Sequence, residues 1–413
     1  MAHRGWWKLF LVLAVGLAAI YFRLGAGKLG PLPSIGLYGA AVVAAAFLLS
    51  WAAEAFQVDV SASVATAALA LVAVLPEYAV DLYFSYSAGH NPVHAPYAIA
   101  NMTGSNRLLI GIGWPLVAGL AMVAARRSGR DARVVRLERP RRVELACLAL
   151  ASIYVVVIIA ARRLAWYDAV PLLGLFAFYV IRVSREPRHE PELIGLAAAI
   201  GKLASGPRRA LVAGLFLAAA AIVLASAKPF AEGLIAGGHQ LGIDEFLLVQ
   251  WLAPLASEAP ELLVASMLAL RGHADTAFGT VLSSKVNQWT LLVGSLPVAY
   301  FAGGGSGGLP LDARQVEEMA LTASQTLLGF AILCNLEIRR WEAIALLFLF
   351  LIQFALPGQA SRLLLSAAYL VLSLAVLMVH RRSLLGIAQA LWTREPKNRK
   401  GAVEKPRPIT LRR

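Results

Sequence analysis

The sequence predicts an all-α polytopic membrane protein with about 12 transmembrane helices, and three properties of the chain support this fold class. Hydrophobic residues make up 59% of the 413 residues, whereas charged residues make up only 15%. The mean hydropathy of +0.68 is too high for an ordinary soluble protein. The apolar residues fall in runs of about 20, the length that a helix needs to cross a bilayer. The lipid bilayer is therefore the expected environment of most of the chain.

Glycine, proline and charged residues punctuate the apolar runs and divide them into twelve predicted spans. The first span has a basic start and an apolar centre, as a signal peptide does. No small-residue cleavage signal follows it, so we predict an uncleaved helix. The predicted spans are residues 6–23, 33–55, 60–86, 97–125, 143–161, 165–182, 210–236, 243–270, 275–301, 317–336, 341–356 and 361–380.

The connection 126–142 carries eight arginines, and short basic loops of membrane proteins face the cytoplasm. Counting spans outward from this loop predicts that both termini are cytoplasmic, in a plasma membrane of the bacterial type. Arg23, Lys28 and the pair Arg162-Arg163 fall on the other side and are a minority that the rule tolerates. The net charge of +14 then follows from topology, and we predict no nucleic-acid partner.

The chain is expected to divide into two similar halves with an extra helix at each end. The connection after the sixth span is rich in charges and prolines and separates the halves, and its short apolar segment 193–203 is expected to lie along the membrane surface. The predicted units are an extra N-terminal transmembrane helix (1–32), a first five-helix half (33–183), a cytoplasmic linker (184–209), a second five-helix half (210–357), and an extra transmembrane helix with a basic cytoplasmic tail (358–413).

A proline followed by a glutamate occurs inside an apolar span in each half, as Leu75-Pro76-Glu77 and as Ala259-Pro260-Glu261. Each glutamate sets a charge in hydrocarbon, and each proline removes a helix hydrogen bond to an earlier carbonyl. Carbonyl oxygens freed in this way, beside two carboxylates, suit a hard cation. We therefore predict that this pair of motifs binds small inorganic cations.

Further features follow the two motifs in the same order. Asn101-Met-Thr-Gly-Ser-Asn106 follows the first motif, and Gly279-Thr-Val-Leu-Ser-Ser-Lys285 follows the second. In the predicted topology the two glutamate spans cross the membrane in opposite directions, so the halves form two inverted five-helix repeats. Such repeats are typical of secondary transporters, because each can open a shared site to one side of the membrane. The pattern predicts a cation transporter.

With these motifs the chain resembles the cation/calcium exchanger superfamily, which includes the sodium/calcium and proton/calcium antiporters. That family carries a small-Thr-Ser-x-Pro-Glu motif and a Gly-Asn-x-x-Gly-Ser-Asn motif in each of two inverted repeats. The matching segments are Ala73-Val-Leu-Pro-Glu77 with Ala100-Asn-Met-Thr-Gly-Ser-Asn106, and Ser257-Glu-Ala-Pro-Glu261 with the Gly279 to Lys285 segment. The resemblance covers residues 33–356 and implies five helices in each repeat.

The resemblance also implies a ring of ion-binding side chains. Glu77 and Glu261 match the central carboxylates of the family. Ser105 and Ser284 match the serines that complete the ring, and Ser257 matches the threonine of the second motif.

Other ring positions depart from the family. Ala73 and Val74 replace the threonine and serine of the first motif, although their backbone carbonyls could still coordinate an ion. The family places an amide or a carboxylate four residues beyond each ring serine. This chain has Leu109 at the first of these positions and Gln288 at the second, so an apolar side chain replaces one ligand.

Charged residues beside the second motif form a further departure. Glu258 replaces a serine, and Lys285 replaces an asparagine. A lysine within reach of Glu258 and Glu261 would compete with a metal ion, either as a built-in cation that alternates with the substrate or as a static counter-ion that locks the site. Glu258 lies three residues before Glu261 and could carry a proton or simply partner the lysine.

Two charges of the first half have alternative interpretations. Arg107 follows Ser105 by two residues and could modify the charge of the cavity, or its side chain could extend to the membrane interface. Asp81 lies one helical turn after Glu77 and could be a ligand on the approach route or a charge at the helix end.

These observations predict a secondary active antiporter that moves a small cation against protons or sodium by alternating access. Proton-linked exchange of sodium or another monovalent ion is favoured, since lost oxygen ligands weaken a calcium site more than they weaken proton transfer. One alternative is sodium/calcium exchange of the usual family type, with water in place of the lost ligands. Another is a membrane protein that keeps the fold without transport. The sequence shows no nucleophile constellation, so we expect no enzyme and no cofactor besides the transported cation.

Overall fold

The structure is a computed structural model that describes residues 6–25, 29–59, 75–185, 193, 195–356 and 358–392. The described chain is almost entirely helical. Its helices are α1 (Trp6–Leu24), α2 (Pro31–Phe56), α3 (Leu75–His90), α4 (Ala95–Leu108), α5 (Trp114–Arg127), α6 (Arg141–Ala161), α7 (Ala169–Val183), α8 (Leu196–Gly201), α9 (Ser205–Leu241), α10 (Glu245–Leu270), α11 (Ala274–Asn287), α12 (Val293–Ala302), α13 (Ala313–Leu333), α14 (Arg340–Ile352), α15 (Gln359–Val379) and α16 (Arg381–Trp392). The short strands are β1 (Val134–Arg136), β2 (Arg163–Leu164), β3 (Leu309–Pro310) and β4 (Glu337–Arg339).

Two short antiparallel strand pairs mark the two ends of the helix bundle. β1 pairs with β4 beside the arginine-rich connection 126–142, and we call this end the basic end. β2 pairs with β3, and we call that end the distal end. The pairs lie at opposite ends because α6 runs from β1 to β2 and α13 runs from β3 to β4. Each pair therefore joins a connection of the first half to a connection of the second half.

Eight helical stretches of the described chain are long and apolar enough to cross a membrane, and each corresponds to one of the twelve predicted spans. The other four predicted spans correspond to the described part of α3, to α11 with α12, to α13 and to α14. These segments are short or carry charged side chains, such as Glu77, Lys285 and Glu318. Charged residues lower the hydropathy of a span without preventing its burial inside a bundle.

The connection between the halves contains two helical segments. α9 begins at Ser205, so the predicted linker 184–209 contains the first turn of that helix. The apolar segment forms α8, in which Leu196, Ala197 and Ile200 are buried, and this helix packs against α2. An apolar helix face gains stability by packing on a neighbouring helix, which explains why the segment lies on the protein.

The two helices at the ends of the chain are part of the bundle. α1 packs against α2 and α9, while α15 packs along α13. Tyr369 and Ser373 of α15 are buried in this contact. The predicted basic tail beyond α16 lies outside the described residues. The two helices predicted as additions therefore both contact helices within residues 205–333.

The two helices that carry the Pro-Glu motifs run in opposite directions. The end of α3 reaches the distal end, because a Cβ at Gly89 would lie 2.5 Å from the carbonyl oxygen of Tyr300, just before β3. α10 begins at the distal end, where Asp244 forms an ion pair with Arg314 at 2.7 Å. α10 ends at the basic end, where Gly272 lies beside Arg130. The opposed directions agree with the topology predicted from the loop charges.

A close helix crossing at Gly104 holds α4 against α10. A Cβ at Gly104 would lie only 1.7 Å from the carbonyl oxygen of Gln250, a position that no side-chain atom can take. Pro254 lacks the amide hydrogen that would normally bond this carbonyl, which lies four residues earlier in α10. α10 continues as a helix through both Pro254 and Pro260, so these prolines free carbonyls without breaking the helix.

We expect Gly104→Ala to destabilise the fold by about 1–3 kcal/mol, since the added methyl group must push α4 away from the α10 backbone. The matched control is Gly119→Ala on α5, where a Cβ meets nothing within 4 Å. That change should be neutral or stabilise the protein by up to about 1 kcal/mol, because alanine favours helix. Thermal unfolding of both purified variants in detergent is the measurement. Equal melting temperatures for the two variants would contradict the crossing.

Candidate cation site

Three carboxyl groups meet where α3 and α10 approach α11. Glu77 on α3 and Glu258 near the middle of α10 are 2% and 3% exposed, and Glu261 lies about one turn further along α10. Gln288 Nε2 donates hydrogen bonds to Glu77 Oε2 at 3.1 Å and to Glu258 Oε1 at 2.5 Å. A single amide group thus joins a carboxylate of the first half to a carboxylate of the second half.

The pairing of these carboxyl groups limits their charge. Glu258 lies beside both Glu77 and Glu261, whereas the sequence suggested Glu261 or Lys285 as its partners. Buried carboxylates this close repel each other strongly, so they cannot all be ionised without a cation or a proton between them. The arrangement can therefore exchange protons for a cation.

Serine hydroxyls flank the carboxyl groups, as the family resemblance implies. Ser105 on α4 lies against Glu77, and Ser284 on α11 lies against Glu261. Ser105 and Ser257 donate their hydroxyl hydrogens to carbonyl groups one turn earlier in their own helices. A hydroxyl that donates in this way keeps its lone pairs free to bind a further ligand.

A set of buried atoms in this cluster has no hydrogen-bond partner within the described chain. Buried polar atoms are nearly always paired in folded proteins, so a group of unpaired ones indicates a ligand position. The unpaired atoms are Glu77 Oε1, Glu258 Oε2, Glu261 Oε2, Ser284 Oγ and Gln288 Oε1. All are oxygens, which hard cations prefer. The cluster combines carboxylate, amide and hydroxyl oxygens, and among the described residues no three His, Cys, Asp or Glu side chains form a metal-binding group by themselves.

A π-helical turn interrupts each helix that carries a ring serine. The turns are Leu109–Gly113, between α4 and α5, and Gln288–Leu292, between α11 and α12. Each begins four residues after its ring serine, at the two positions that the family resemblance singles out. A π turn widens the helix and shifts its hydrogen bonds by one residue, which re-aims side chains and leaves a carbonyl without its usual donor. The π turns therefore interrupt these helices, whereas α10 continues unbroken through Pro260.

Lys285 does not form the ion pair that the sequence suggested. Its Nζ donates to the Asn106 side-chain oxygen at 2.6 Å and to the Asn106 carbonyl at 3.1 Å, and it lies 4.7 Å from the centre of the Trp289 ring. None of the ion pairs in the described chain includes Lys285. Successive helix residues point about 100° apart, so Ser284 can face Glu261 while the next side chain points toward α4. The interpretation as a counter-ion in direct contact with the carboxylates was wrong.

Arg107 belongs to a second buried charge cluster, which extends from α4 toward the distal end. Its Nη2 lies 2.5 Å from Glu318 Oε2, and its Nη1 donates to Gln353 Oε1 at 2.9 Å. Its guanidinium also lies 5.0 Å from the ring of Trp251. Arg362, on α15, forms an ion pair with the same Glu318. Arg107 therefore neither extends to the membrane interface nor contacts the central carboxylates.

The structure also places Asp81 and Leu109, one of the positions that depart from the family motif. Asp81 is fully buried inside α3, which excludes its interpretation as a charge at the helix end. Leu109 is buried at the start of its π turn. Ala73 and Val74 lie outside the described residues.

Several contacts around the site were not indicated by the sequence. Asn106 holds Lys285, Gln250 donates to Glu318 Oε2 at 3.0 Å, and Glu318 joins two arginines. The pair Glu317-Glu318 near the start of an apolar span was the available signal for the second cluster, since acidic residues inside a membrane require partners. The other contacts join residues far apart in sequence and have no local signature.

The chain matches a known family over most of its length. Residues 31–185 and 211–357 match the family model described as sodium/calcium exchanger protein. This chain belongs to the sodium/calcium exchanger family. The family match confirms the resemblance to the cation/calcium exchanger superfamily, and its two segments flank the connection that carries α8.

Two curated relatives within the family match part of the chain. The sodium/calcium exchanger MaX1 of Methanosarcina acetivorans is 28% identical over 137 residues, which are 32% of this chain and 36% of that protein. The putative antiporter CaxA of Alkalimonas amylolytica is 26% identical over 136 residues, or 32% of this chain and 40% of that protein. The chain thus matches well under half the length of either curated relative.

Solved structures of exchangers match nearly the whole chain. A crystal structure of the H+/Ca2+ exchanger CAX has 40% sequence identity and a TM-score of 0.88, and the match covers 95% of this chain and 98% of that one. The Ca2+/H+ antiporter protein YfkE matches with a TM-score of 0.60 at 16% identity, over 88% of this chain and 99% of that chain. The second match shows a shared fold.

Proposed function

We propose that this member of the exchanger family is a secondary active antiporter that exchanges calcium for protons. The observation that carries the proposal is the convergence of Glu77, Glu258 and Glu261, whose unpaired oxygens lie beside Ser284 and Gln288. Carboxylates that must be neutralised by either a cation or protons couple the two by competition. The extensive similarity to an H+/Ca2+ exchanger supports the same choice of ions.

Glu258 shifts the expected ion preference of the site from monovalent toward divalent cations. The sequence favoured a monovalent ion because Ala73, Val74 and Leu109 replace oxygen ligands of the family. Glu258 replaces a serine with a carboxylate, and it lies in the same cluster as Glu77. An added carboxylate compensates for lost neutral ligands and favours a divalent ion, since the attraction scales with the ion charge.

The proposed binding residues are Glu77, Glu261, Ser105, Ser284, Ser257 and Gln288, with Glu258 as a third carboxyl group. The proposed architecture has twelve membrane spans, in which residues 33–183 and 210–357 form inverted five-helix repeats around this site. The opposed directions of α3 and α10 support it, as do the π turns that begin four residues after Ser105 and after Ser284. We place the protein in a plasma membrane with the basic end and both termini in the cytoplasm.

Flux through reconstituted vesicles tests the function. Purified protein in liposomes should take up 45Ca2+ when the vesicle interior is more acidic than the bath, and a pH-sensitive dye should report proton release. Calcium uptake that requires a sodium gradient and ignores pH would favour sodium/calcium exchange. Absence of calcium, sodium and proton flux under every gradient would favour a protein without transport.

A lysine variant tests the electrostatic setting of the site. Lys285 donates to Asn106 on the helix that carries Ser105, and in its protonated form it opposes a cation bound beside that serine. Lys285→Asn should tighten the apparent affinity for calcium by about tenfold, whereas Lys285→Arg keeps the charge and should not. Calcium dependence of uptake in the two variants is the measurement. An affinity that stays the same in Lys285→Asn would show that the lysine charge does not reach the ion.

A further inference from the structure

Asp81 and Asn101 form a second group of buried, unpaired polar atoms outside the central cluster. Asp81 is fully buried and Asn101 is 1% exposed. Both carboxylate oxygens of Asp81 and both side-chain amide atoms of Asn101 lack a hydrogen-bond partner in the part of the chain that the structure describes. Asn101 on α4 lies beside Asp81 on α3. Such a group is strongly unfavourable unless a ligand satisfies it.

The second group lies one helical turn from the central site, on its distal side. α3 runs toward the distal end, so Asp81 is one turn closer to that end than Glu77. α4 starts at the distal end, so Asn101 is likewise one turn closer to it than Ser105. The helices α3 and α4 therefore carry two successive layers of polar side chains, which we call levels. The central level contains Glu77 and Ser105, and the distal level contains Asp81 and Asn101.

Within the described ranges of the chain, no positive side chain forms an ion pair with Asp81. The charged group that acts on it is Glu77, another acid. Glu77 Oε1 is also unpaired, and Glu77 lies one helical turn from Asp81 on the same helix. The level thus offers carboxylate and amide oxygens without a built-in cation, which is the donor set that binds a hard metal ion.

The second half has no equivalent of this level. The positions that correspond to Asp81 and Asn101, counted from Glu261 and Ser284, are Ala265 and Thr280. Ala265 is buried and apolar, and the Thr280 hydroxyl donates to a carbonyl of its own helix at 3.2 Å. The level formed by Asp81 and Asn101 therefore has a counterpart neither on α10 nor on α11. It can affect ions that enter from the distal end but not ions that enter from the basic end.

We propose that Asp81 and Asn101, together with the free oxygen of Glu77, form a second site for a hard metal cation, calcium or sodium, between the central site and the distal end. The second site rests on the proposed antiport, because it lies on the same ion path. An ion arriving from the distal end binds there first and passes to Glu77, which both levels share. An ion arriving from the basic end reaches the central carboxylates without it.

Equilibrium binding tests the second site without requiring transport. Purified full-length protein in detergent is titrated with 45Ca2+ and, separately, with 22Na+. Asp81→Asn should bind one metal ion fewer per chain than wild type, or bind it at least about tenfold more weakly. Thr280→Ala, at the corresponding position of the second half, should bind as wild type does. Equal ion number and affinity in Asp81→Asn and wild type would overturn the proposal, including the case in which the variant only changes the number of protons released.

Two further measurements cover the remaining outcomes. If Asp81→Asn does not purify as a folded monodisperse protein, Asn101→Ala is used instead. Weaker metal binding by Asn101→Ala is expected, and unchanged binding would overturn the second site.

In vesicles of uniform orientation, Asp81→Asn should raise the KM for the metal ion at the distal face alone. If Asp81→Asn loses a bound metal ion while the wild-type protein shows no flux, the second site is supported and antiport is rejected. If the wild-type protein shows normal flux while Asp81→Asn binds metal as wild type does, antiport is supported and the second site is rejected.

Discussion

Replacing Glu77 or Glu261 by glutamine is expected to lower calcium uptake at least about 100-fold. Glutamine keeps the size of the side chain but removes a negative charge from the cluster. A unit charge about 4 Å away contributes about 4 kcal/mol at the effective dielectric of a protein, and 1.4 kcal/mol corresponds to a factor of about ten. Glu77→Gln also deprives Gln288 Nε2 of a charged acceptor. Initial rates of 45Ca2+ uptake into liposomes with an acidic interior are the measurement.

The matched control for these variants is Asp312→Asn, which removes one acidic charge at the distal end. Asp312 accepts a hydrogen bond from the Gln315 amide and caps α13, a role that asparagine also performs. This variant should keep uptake within about twofold of wild type, because a solvent-exposed charge far from the site is screened. Uptake above a tenth of the wild-type rate in Glu77→Gln would reject this residue as an essential ion ligand.

Replacing Glu318 by glutamine is expected to destabilise the protein by about 3–5 kcal/mol. Glu318 is fully buried and neutralises Arg107 on α4 and Arg362 on α15. Removing the shared acid leaves two buried positive charges without a partner, which costs far more than the loss of an exposed ion pair. Unfolding by denaturing detergent, followed by loss of helical circular dichroism, measures the free energy change.

The adjacent residue offers a control for the buried triad. Glu317 is also buried, but it lies 3.6 Å from Arg362, which keeps its ion pair with Glu318, so Glu317→Gln should cost markedly less than Glu318→Gln. Adding Arg107→Leu to Glu318→Gln should recover part of the loss, since one unpaired charge disappears with its side chain. Equal destabilisation by Glu317→Gln and Glu318→Gln would contradict the role of Glu318.

The triad has a consequence for the site as well as for stability. Arg107 follows Ser105 by two residues on α4, and Arg362 lies on α15, which was predicted as an addition to the two repeats. Through Glu318 on α13, the extra helix α15 therefore holds the helix that carries a ring serine. The position of this serine depends on the C-terminal helix, which the sequence presented as a simple addition.

Local features of the sequence predicted many parts of the site. Apolar runs of membrane-spanning length predict helices because each span must satisfy its own backbone hydrogen bonds in lipid. Pro-Glu motifs inside such runs predicted Glu77 and Glu261 as ion-binding residues, and the family motif predicted Ser105, Ser284 and Gln288 as further ligands. These signals are readable because they depend on the order of residues along a single helix.

Contacts between segments that are far apart in the sequence could not be predicted from local patterns. Glu77 and Gln288 are separated by 211 positions, and Asn106 and Lys285 by 179. Whether Lys285 faces the carboxylates or Asn106 depends on the rotation of α11, and the π turn that follows changes the helix phase by one residue. No rule of composition or spacing specifies that rotation.

By itself the sequence determined that the chain is a helical membrane protein with two acidic motifs in opposed spans, since hydropathy and motif order are local properties. Only the tertiary structure decided how the charges are paired. Glu258 joins the cluster of Glu77, Lys285 turns to Asn106, and Arg107 binds Glu318. The physical reason is that a buried charge takes whichever partner the helix packing brings within reach, and packing depends on the whole fold.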